Sequence, residues 1–303
     1  MDKTSLTRMI KEAVAGAGFD ACGIAPIAPL TAETAQLRQW LADGCHAGMT
    51  YMERHTDKRE NPALLLDGAQ SAVVMLLNYK PPETQPPDAP KIAYYAYVRN
   101  YHDVIHQKLK LLSASIAAAF PDVRLRGFVD SAPVLEKVWA MRAGLGWIGK
   151  NCLLVSPRFG SFTFIAELLV SAELDYDAPI TASRCGSCRR CLDACPGGAL
   201  EAYRLDANRC ISYHNKRKGE NGVDIRPYCF GCDYCQLACP WNVAAPPHRH
   251  AGWTISEIVR FTATDWQALD KAAFNRIFAQ SVLRETGFVK LQSNWNICSG
   301  KPQ

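Results

Sequence analysis

Cys185, Cys188, Cys191 and Cys195, followed by Pro196, show the spacing C-x2-C-x2-C-x3-C-P, and Cys229, Cys232, Cys235 and Cys239 show it again before Pro240. Two-residue gaps let three thiolates converge on three irons of one cube, while the fourth, displaced by the proline turn, reaches the neighbouring cube. Two [4Fe-4S] clusters are therefore expected. Cys185, Cys188, Cys191 and Cys239 would hold the first. The second would take Cys195, Cys232, Cys235 and one more thiolate, either Cys229 by plain ferredoxin symmetry or Cys210 by another connection; spacing favours Cys229. Paired zinc knuckles are the alternative, but zinc has no need of the x3-C-P endings. Cys22, Cys45, Cys152 and Cys298 stand alone and read as small core or surface residues.

The rest of the chain sets the context for this chemistry. Thirteen cysteines behind an N-terminus without an apolar h-region, a cleavage site or a twin-arginine pair point to metal ligation in the cytoplasm rather than a disulfide framework. No apolar run approaches a membrane span, since the stretches around Ala72–Leu77 and Phe162–Val170 are strand-sized and interrupted. With 48% hydrophobic residues the chain can bury a core, and a net charge of +5 mildly favours an anionic partner without marking a nucleic-acid-binding tail.

Periodicity then supplies the elements that must position the site. Leu6, Met9, Ile10, Ala13 and Val14 predict a first helix with Thr4 or Ser5 as its cap. Ala72–Leu77 reads as a buried strand, Lys80–Pro90 as a loop, and Leu109–Ala119 as a helix stopped before Pro121. Alternation over Val123–Val129 predicts a strand ending at Asp130, with a helix from Ala132 to Arg142 beyond it, and Phe162–Val170 predicts a further strand. The expected fold class is α+β: a mixed α/β domain over 1–178, a ferredoxin-like double-cluster domain over 179–245, and a helical segment over 246–303 packing on the core.

Several ordered segments carry a family resemblance: Asp57-Lys58-Arg59, Tyr101-His102, Val129–Glu136, Ala143–Asn151 and Gly231–Asn242. On these the chain resembles the epoxyqueuosine reductases of tRNA queuosine biosynthesis, in a short form without C-terminal helical repeats. The resemblance implies an α/β domain of nitroreductase or reductive-dehalogenase type that binds base-off cobalamin. It implies two [4Fe-4S] clusters fed by an external low-potential donor, a tRNA substrate carrying epoxyqueuosine in its anticodon loop, and a monomer with no membrane contact. It also implies Cys210, within Arg209–Tyr213, as the last ligand of the second cluster in place of Cys229. Asp130 matches the family's proton donor, and Arg59, Asn151 and the segment Leu154–Ser161 match its corrinoid contacts.

Chemistry agrees on Asp130. Deoxygenating an epoxide needs a proton at the departing oxygen, and a carboxyl that supplies it near neutral pH is expected to be buried, which raises its pKa. The bland alternative is a helix cap ahead of Ala132-Pro133. Gly144, Gly146 and Gly149 follow a helix rather than a strand, so they are expected to admit a flat cofactor rather than a dinucleotide. Lys216-Arg217-Lys218 is the most basic run and is either a phosphate contact or a solvated loop. The competing functions are a corrinoid reductive dehalogenase, disfavoured by the missing export signal, and a non-catalytic iron–sulfur electron carrier.

Overall fold

The computed structural model describes residues 2–300. Helix α1 (Lys3–Gly16) buries Leu6, Ile10 and Val14, and its cap is Asp2 rather than Thr4 or Ser5. The Asp2 carboxylate accepts hydrogen bonds from the Thr4 and Ser5 N–H groups at 3.2 and 3.1 Å, which places those two residues inside the first turn.

Among the described residues one four-stranded antiparallel sheet organises the first half of the chain, with β1 (Ala21–Pro26), β2 (Ser71–Asn78), β3 (Leu125–Phe128) and β4 (Thr163–Val170) in the order β1-β2-β4-β3. Every residue of β2 is buried, because both faces of the sheet are covered. On one face Val73, Met75, Leu77, Ala166, Leu168 and Val170 meet α1 and α4 (Tyr101–Ala119), whose Ile105, Leu109, Leu112 and Ile116 point inward. On the other, Val74, Leu76, Ile165, Leu169 and Phe128 meet α5 (Glu136–Arg142) through Val138, Trp139 and Ala140. Period-two alternation along β4 places Glu167 on this second face between Ile165 and Leu169.

Strand β3 is shorter than the alternation of Val123–Val129 predicts, since only Leu125–Phe128 find partners, opposite Val170–Glu167. Helix α5 starts at Glu136, four residues later than expected. Pro133 has no N–H to offer a helix, and the residues between Phe128 and Glu136 form an extended turn instead.

Contacts also cross the expected boundaries at 178 and 245. Lys91–Ile92 pairs in parallel with Tyr228–Phe230, and Ile92, Ala96 and Tyr97 share a core with Cys229, Phe230, Trp266, Phe274, Leu291 and Trp295. The helix Phe288–Cys298 ties the tail to the cysteine-rich segment, where the Asn294 amide donates to the carbonyls of Asn215 and Cys229 at 2.7 and 2.9 Å.

Close packing between α5 and the sheet depends on Gly23 of β1, where an added Cβ would stand 2.0 Å from the Ala143 carbonyl oxygen. Neither backbone can yield. Gly23→Ala is expected to destabilise the fold by about 1–3 kcal/mol, read as a lowered thermal midpoint with cluster content unchanged at low temperature.

Candidate functional site

The nine cysteines between Arg184 and Pro240 divide sharply by environment. Cys185, Cys188, Cys191 and Cys239 line one cavity together with Gly149, Asn151 and Trp241. Burial raises the Cys191 and Cys239 thiols, and the charge of the other cysteines in the group adds to it. A second group comprises Cys195, Cys210, Cys232 and Cys235. Burial pushes Cys232 up to about 12, with Asp233, Cys210 and Cys195 adding to the effect, and Cys235 and Cys210 are raised for the same reasons.

Cys229 lies elsewhere. It is 1% exposed inside the core shared with Phe230 and Trp295, against which Cys298 also packs, and its thiol donates to the Lys91 carbonyl at 3.3 Å. The ferredoxin spacing at Cys229 is thus a coincidence of sequence: pairing of Tyr228–Phe230 with Lys91–Ile92 turns its side chain into the tail's core. Among the described residues no group of three or more His, Cys, Asp or Glu side chains converges on a single metal ion. Two sets of four gathered thiols, largely half-buried, suit a polynuclear centre, whose positive charge offsets the repulsion between thiolates.

The α/β domain docks on the first thiol group through the segment after α5. Lys150 donates to the carbonyls of Gly186 and Cys188 at 2.6 and 2.9 Å, and Trp147 packs edge-on against Trp241 at 4.8 Å. Gly144 and Gly146 allow close packing within the α/β domain itself, because an added Cβ would lie 2.5 Å from the Ala178 carbonyl oxygen or 2.4 Å from that of Val155. Protein backbone, rather than a flat cofactor, occupies the space that their missing side chains leave.

Asp130 sits in the turn between β3 and α5 with φ at +50°, a left-handed conformation uncommon for any residue but glycine, asparagine or aspartate. Its expected burial is not observed. The residue is exposed, and it does not cap α5, whose N-cap is Leu135. Two contacts hold the turn: the Tyr101 hydroxyl donates to the Asp130 carboxylate, and the Asp130 N–H donates to Glu136 Oε1 at 2.6 Å. Tyr101 is itself fixed by parallel stacking on Phe164 of β4 at 4.0 Å, and burial, with the charge of Asp130 behind it, raises its pKa. Glu136 stands in the sequence only as the end of the Val129–Glu136 segment and Glu167 carries no motif, yet burial acts on these two carboxyls and raises both well above the ordinary range. The one available signal was a single acidic residue inside an otherwise apolar strand.

Beside the turn opens a cavity of about 330 Å³ lined by His55, Lys58, Arg126, Phe128 and Ser131–Pro133. Arg59, adjacent to Lys58, is buried, and its Nε has no partner among the described residues; its Nη2 reaches the Tyr51 carbonyl at 3.4 Å. The Asn151 amide nitrogen is likewise buried and unpartnered among the described residues. Ser161 is committed elsewhere: its N–H donates to Asn242 Oδ1 at 2.6 Å and its hydroxyl to Gln236 Oε1 at 3.0 Å, joining the two halves of the chain. Leu154 packs in the core beneath α5. Lys216, Arg217 and Lys218 are exposed, Lys216 lying over the Tyr95 ring.

A sheet domain with an acidic turn beside a cavity, docked on the first of two thiol quartets, defines the class of an iron–sulfur oxidoreductase. Residues 59–131 match the family model described as "Epoxyqueuosine reductase QueG, DUF1730", and residues 184–242 match that of a "4Fe-4S double cluster binding domain". The chain belongs to the epoxyqueuosine reductase family. It is 42% identical to the epoxyqueuosine reductase of Leadbetterella byssophila over 297 residues, covering 95% of this chain and 96% of that one. Among solved structures it is similar to a selenomethionine-labelled epoxyqueuosine reductase (TM-score 0.89, 29% identity, covering 97% of this chain and 81% of that one). It is also similar to an epoxyqueuosine reductase bound to an epoxyqueuosine-modified tRNA-Tyr stem loop (TM-score 0.86, 29% identity, covering 97% and 80%). A wider likeness to a catabolic reductive dehalogenase, at 18% identity and a TM-score of 0.51 over 97% of this chain and 38% of that one, concerns the fold alone.

The placement of Cys210 and Cys229 is directly testable. Cys210→Ala should lose about half of the roughly eight irons expected for two four-iron clusters, whereas Cys229→Ala should keep them, as read by iron and sulfide analysis. Equal iron content in the two variants would show that Cys210 holds no cluster.

Proposed function

We propose that this chain removes the epoxide oxygen of epoxyqueuosine in tRNA, leaving queuosine, with Asp130 as the proton donor. The observation that carries this reading is the Asp130 carboxyl, presented on an exposed left-handed turn at the rim of a cavity and held there by Tyr101 and Glu136. In this reading Cys185, Cys188, Cys191 and Cys239 hold one [4Fe-4S] cluster, and Cys195, Cys210, Cys232 and Cys235 hold the other. Electrons enter from an external low-potential donor. When bound, cobalamin supplies the two-electron reduction of the epoxide, and the clusters supply its electrons one at a time.

The corrinoid fits the residues present. Its rim of amide side arms offers acceptors for the buried, unpartnered nitrogens of Arg59 and Asn151. Burial lowers the pKa of Arg59, so an acceptor there would also offset the cost of desolvating its charge. Ser161 would act indirectly, through the latch it forms with Gln236 and Asn242.

The remaining steps belong to the protein. Tyr101 donates to one oxygen of Asp130 and so aims the carboxyl away from the sheet. Positioning the proton at the departing oxygen is the general-acid contribution, and no lysine, histidine or second exposed carboxyl shares the turn between β3 and α5. Exposed Lys216, Arg217 and Lys218, with a net charge of +5 over the chain, suit a phosphate backbone.

Asp130→Asn keeps the shape of the turn but removes the acidic proton. It is expected to lower turnover of epoxyqueuosine-containing tRNA by about 10²-fold or more while iron, sulfide and corrinoid content stay unchanged. Undiminished turnover would remove Asp130 from the mechanism.

A further inference from the structure

Taking an epoxide oxygen away as water breaks both C–O bonds, forms a C=C bond, and consumes two electrons and two protons. Asp130 carries one proton. A second must reach the same place while a large nucleic acid covers the turn, and the residues beneath Asp130 can provide it.

Glu167 lies in the middle of β4, opposite Val74 of β2 and Phe128 of β3, with 0% exposure and neither carboxyl oxygen hydrogen-bonded among the described residues. A carboxylate in such a position is strongly disfavoured, so the group is a neutral acid carrying a proton. Its charged neighbours are Glu136 and Asp130, both of which add to the effect of burial. Glu136, at the first turn of α5, is half-buried beside Asp130, whose N–H donates to its Oε1, and Lys137 is the one cation that opposes its upward shift. From α4, Tyr101 faces Asp130, with Tyr95 and Glu136 contributing at longer range. No metal ligand takes part in the group.

We propose that Glu136 and Glu167 form a buried proton reserve that positions Asp130 and reprotonates it, so that one loop carboxyl delivers both protons of a turnover. The proposal rests on the epoxide-reducing function stated above. Asp130 gives its proton to the departing oxygen as the first C–O bond breaks, and is left as a carboxylate. Glu136 passes a proton to that carboxylate, leaving one proton shared between Glu136 and Glu167. Asp130 then gives the second proton as the oxygen leaves as water, and solvent refills the reserve through the exposed turn once product departs. The two electrons come from the reduced cofactor. Glu136 and Glu167 act through Asp130 and are positioning residues.

The test uses reduced holoenzyme and an epoxyqueuosine-modified tRNA stem loop in single-turnover experiments over about pH 6–9. Glu136 and Glu167 stay protonated above the ordinary carboxyl range, so the wild-type rate should persist into mildly alkaline solution. In Glu136→Gln and Glu167→Gln the rate should fall off at lower pH, with a deficit of tenfold or more near pH 8 that shrinks toward acid pH as solvent reprotonates Asp130 directly. Glu136→Asp should recover part of the alkaline limb. Infrared spectra of the protein as isolated should show carboxylic-acid C=O absorption at neutral pH that loses one component in Glu167→Gln and another in Glu136→Gln, with iron and sulfide content confirming that each variant folds. Stability gives an independent reading. A folded pKa above the unfolded one contributes fully below the unfolded value and is lost as pH rises through the folded value, so wild-type thermal stability should decline with pH more steeply than that of Glu167→Gln.

Superimposable pH profiles, a fully active Glu167→Leu variant with the wild-type profile, or absence of these infrared components in the wild type would each overturn the reserve. A wild-type chain loaded with both cofactors but inert toward epoxyqueuosine would overturn the functional reading and the reserve with it; failure of the infrared and stability differences alone would overturn only the reserve.

Discussion

Eight thiols gathered into two groups repel one another once ionised, and the few backbone N–H groups and Lys216 that favour their charge offset this less than a positively charged metal centre would. Much of the architecture follows from this constraint. Cys195 and Cys239 each leave their own run to complete the other group, so the two loops are fastened together wherever clusters are bound. The tail helix Phe288–Cys298 and the short Lys91–Ile92 strand then close over Tyr228–Phe230 from both sides. That closure turns the Cys229 side chain into the tail's core, apart from both thiol groups.

The α/β domain meets this assembly along a narrow seam. Lys150 clasps the backbone of the first cysteine loop, Trp147 packs on Trp241, and Ser161 is latched by Gln236 and Asn242. The seam puts Asn151 against the first thiol group and leaves the Asp130 turn facing outward beside its own cavity. The first thiol group and the Asp130 turn thus border different cavities.

Proton chemistry is concentrated where β3, β4 and α5 meet. Antiparallel register sets Phe128 opposite Glu167, and the chain then turns within two residues to Asp130. A left-handed backbone there is strained, and the Tyr101 and Glu136 contacts are what hold it. The stack of Tyr101 on Phe164 ties the donor geometry to the same strand that carries Glu167.

Much of this was legible without coordinates. The two cysteine runs announced the clusters because metal ligation imposes short, rigid spacings. The buried strands around 72–77 and 162–170 and the second half of the helix at 101–119, from Leu109 on, showed in their hydrophobic period, since burial on one or both faces leaves that imprint locally. What lay beyond reach depended on contacts between distant segments. Spacing alone favoured Cys229 over Cys210, because a ferredoxin run says nothing of a strand that pairs with Lys91–Ile92 and turns the thiol into another core. Asp130 looked like a helix cap or a buried acid, and is neither, because Pro133 delays the helix and an exposed turn takes its place. Glu167 looked like a mere interruption of an apolar run. The sequence by itself determined which groups could ligate iron and which segments would be buried, since both are properties of neighbours along the chain. Only the tertiary structure decided which thiols gather into one group and which carboxyls lie beside Asp130, since desolvation and charge repulsion act between groups that folding alone brings together.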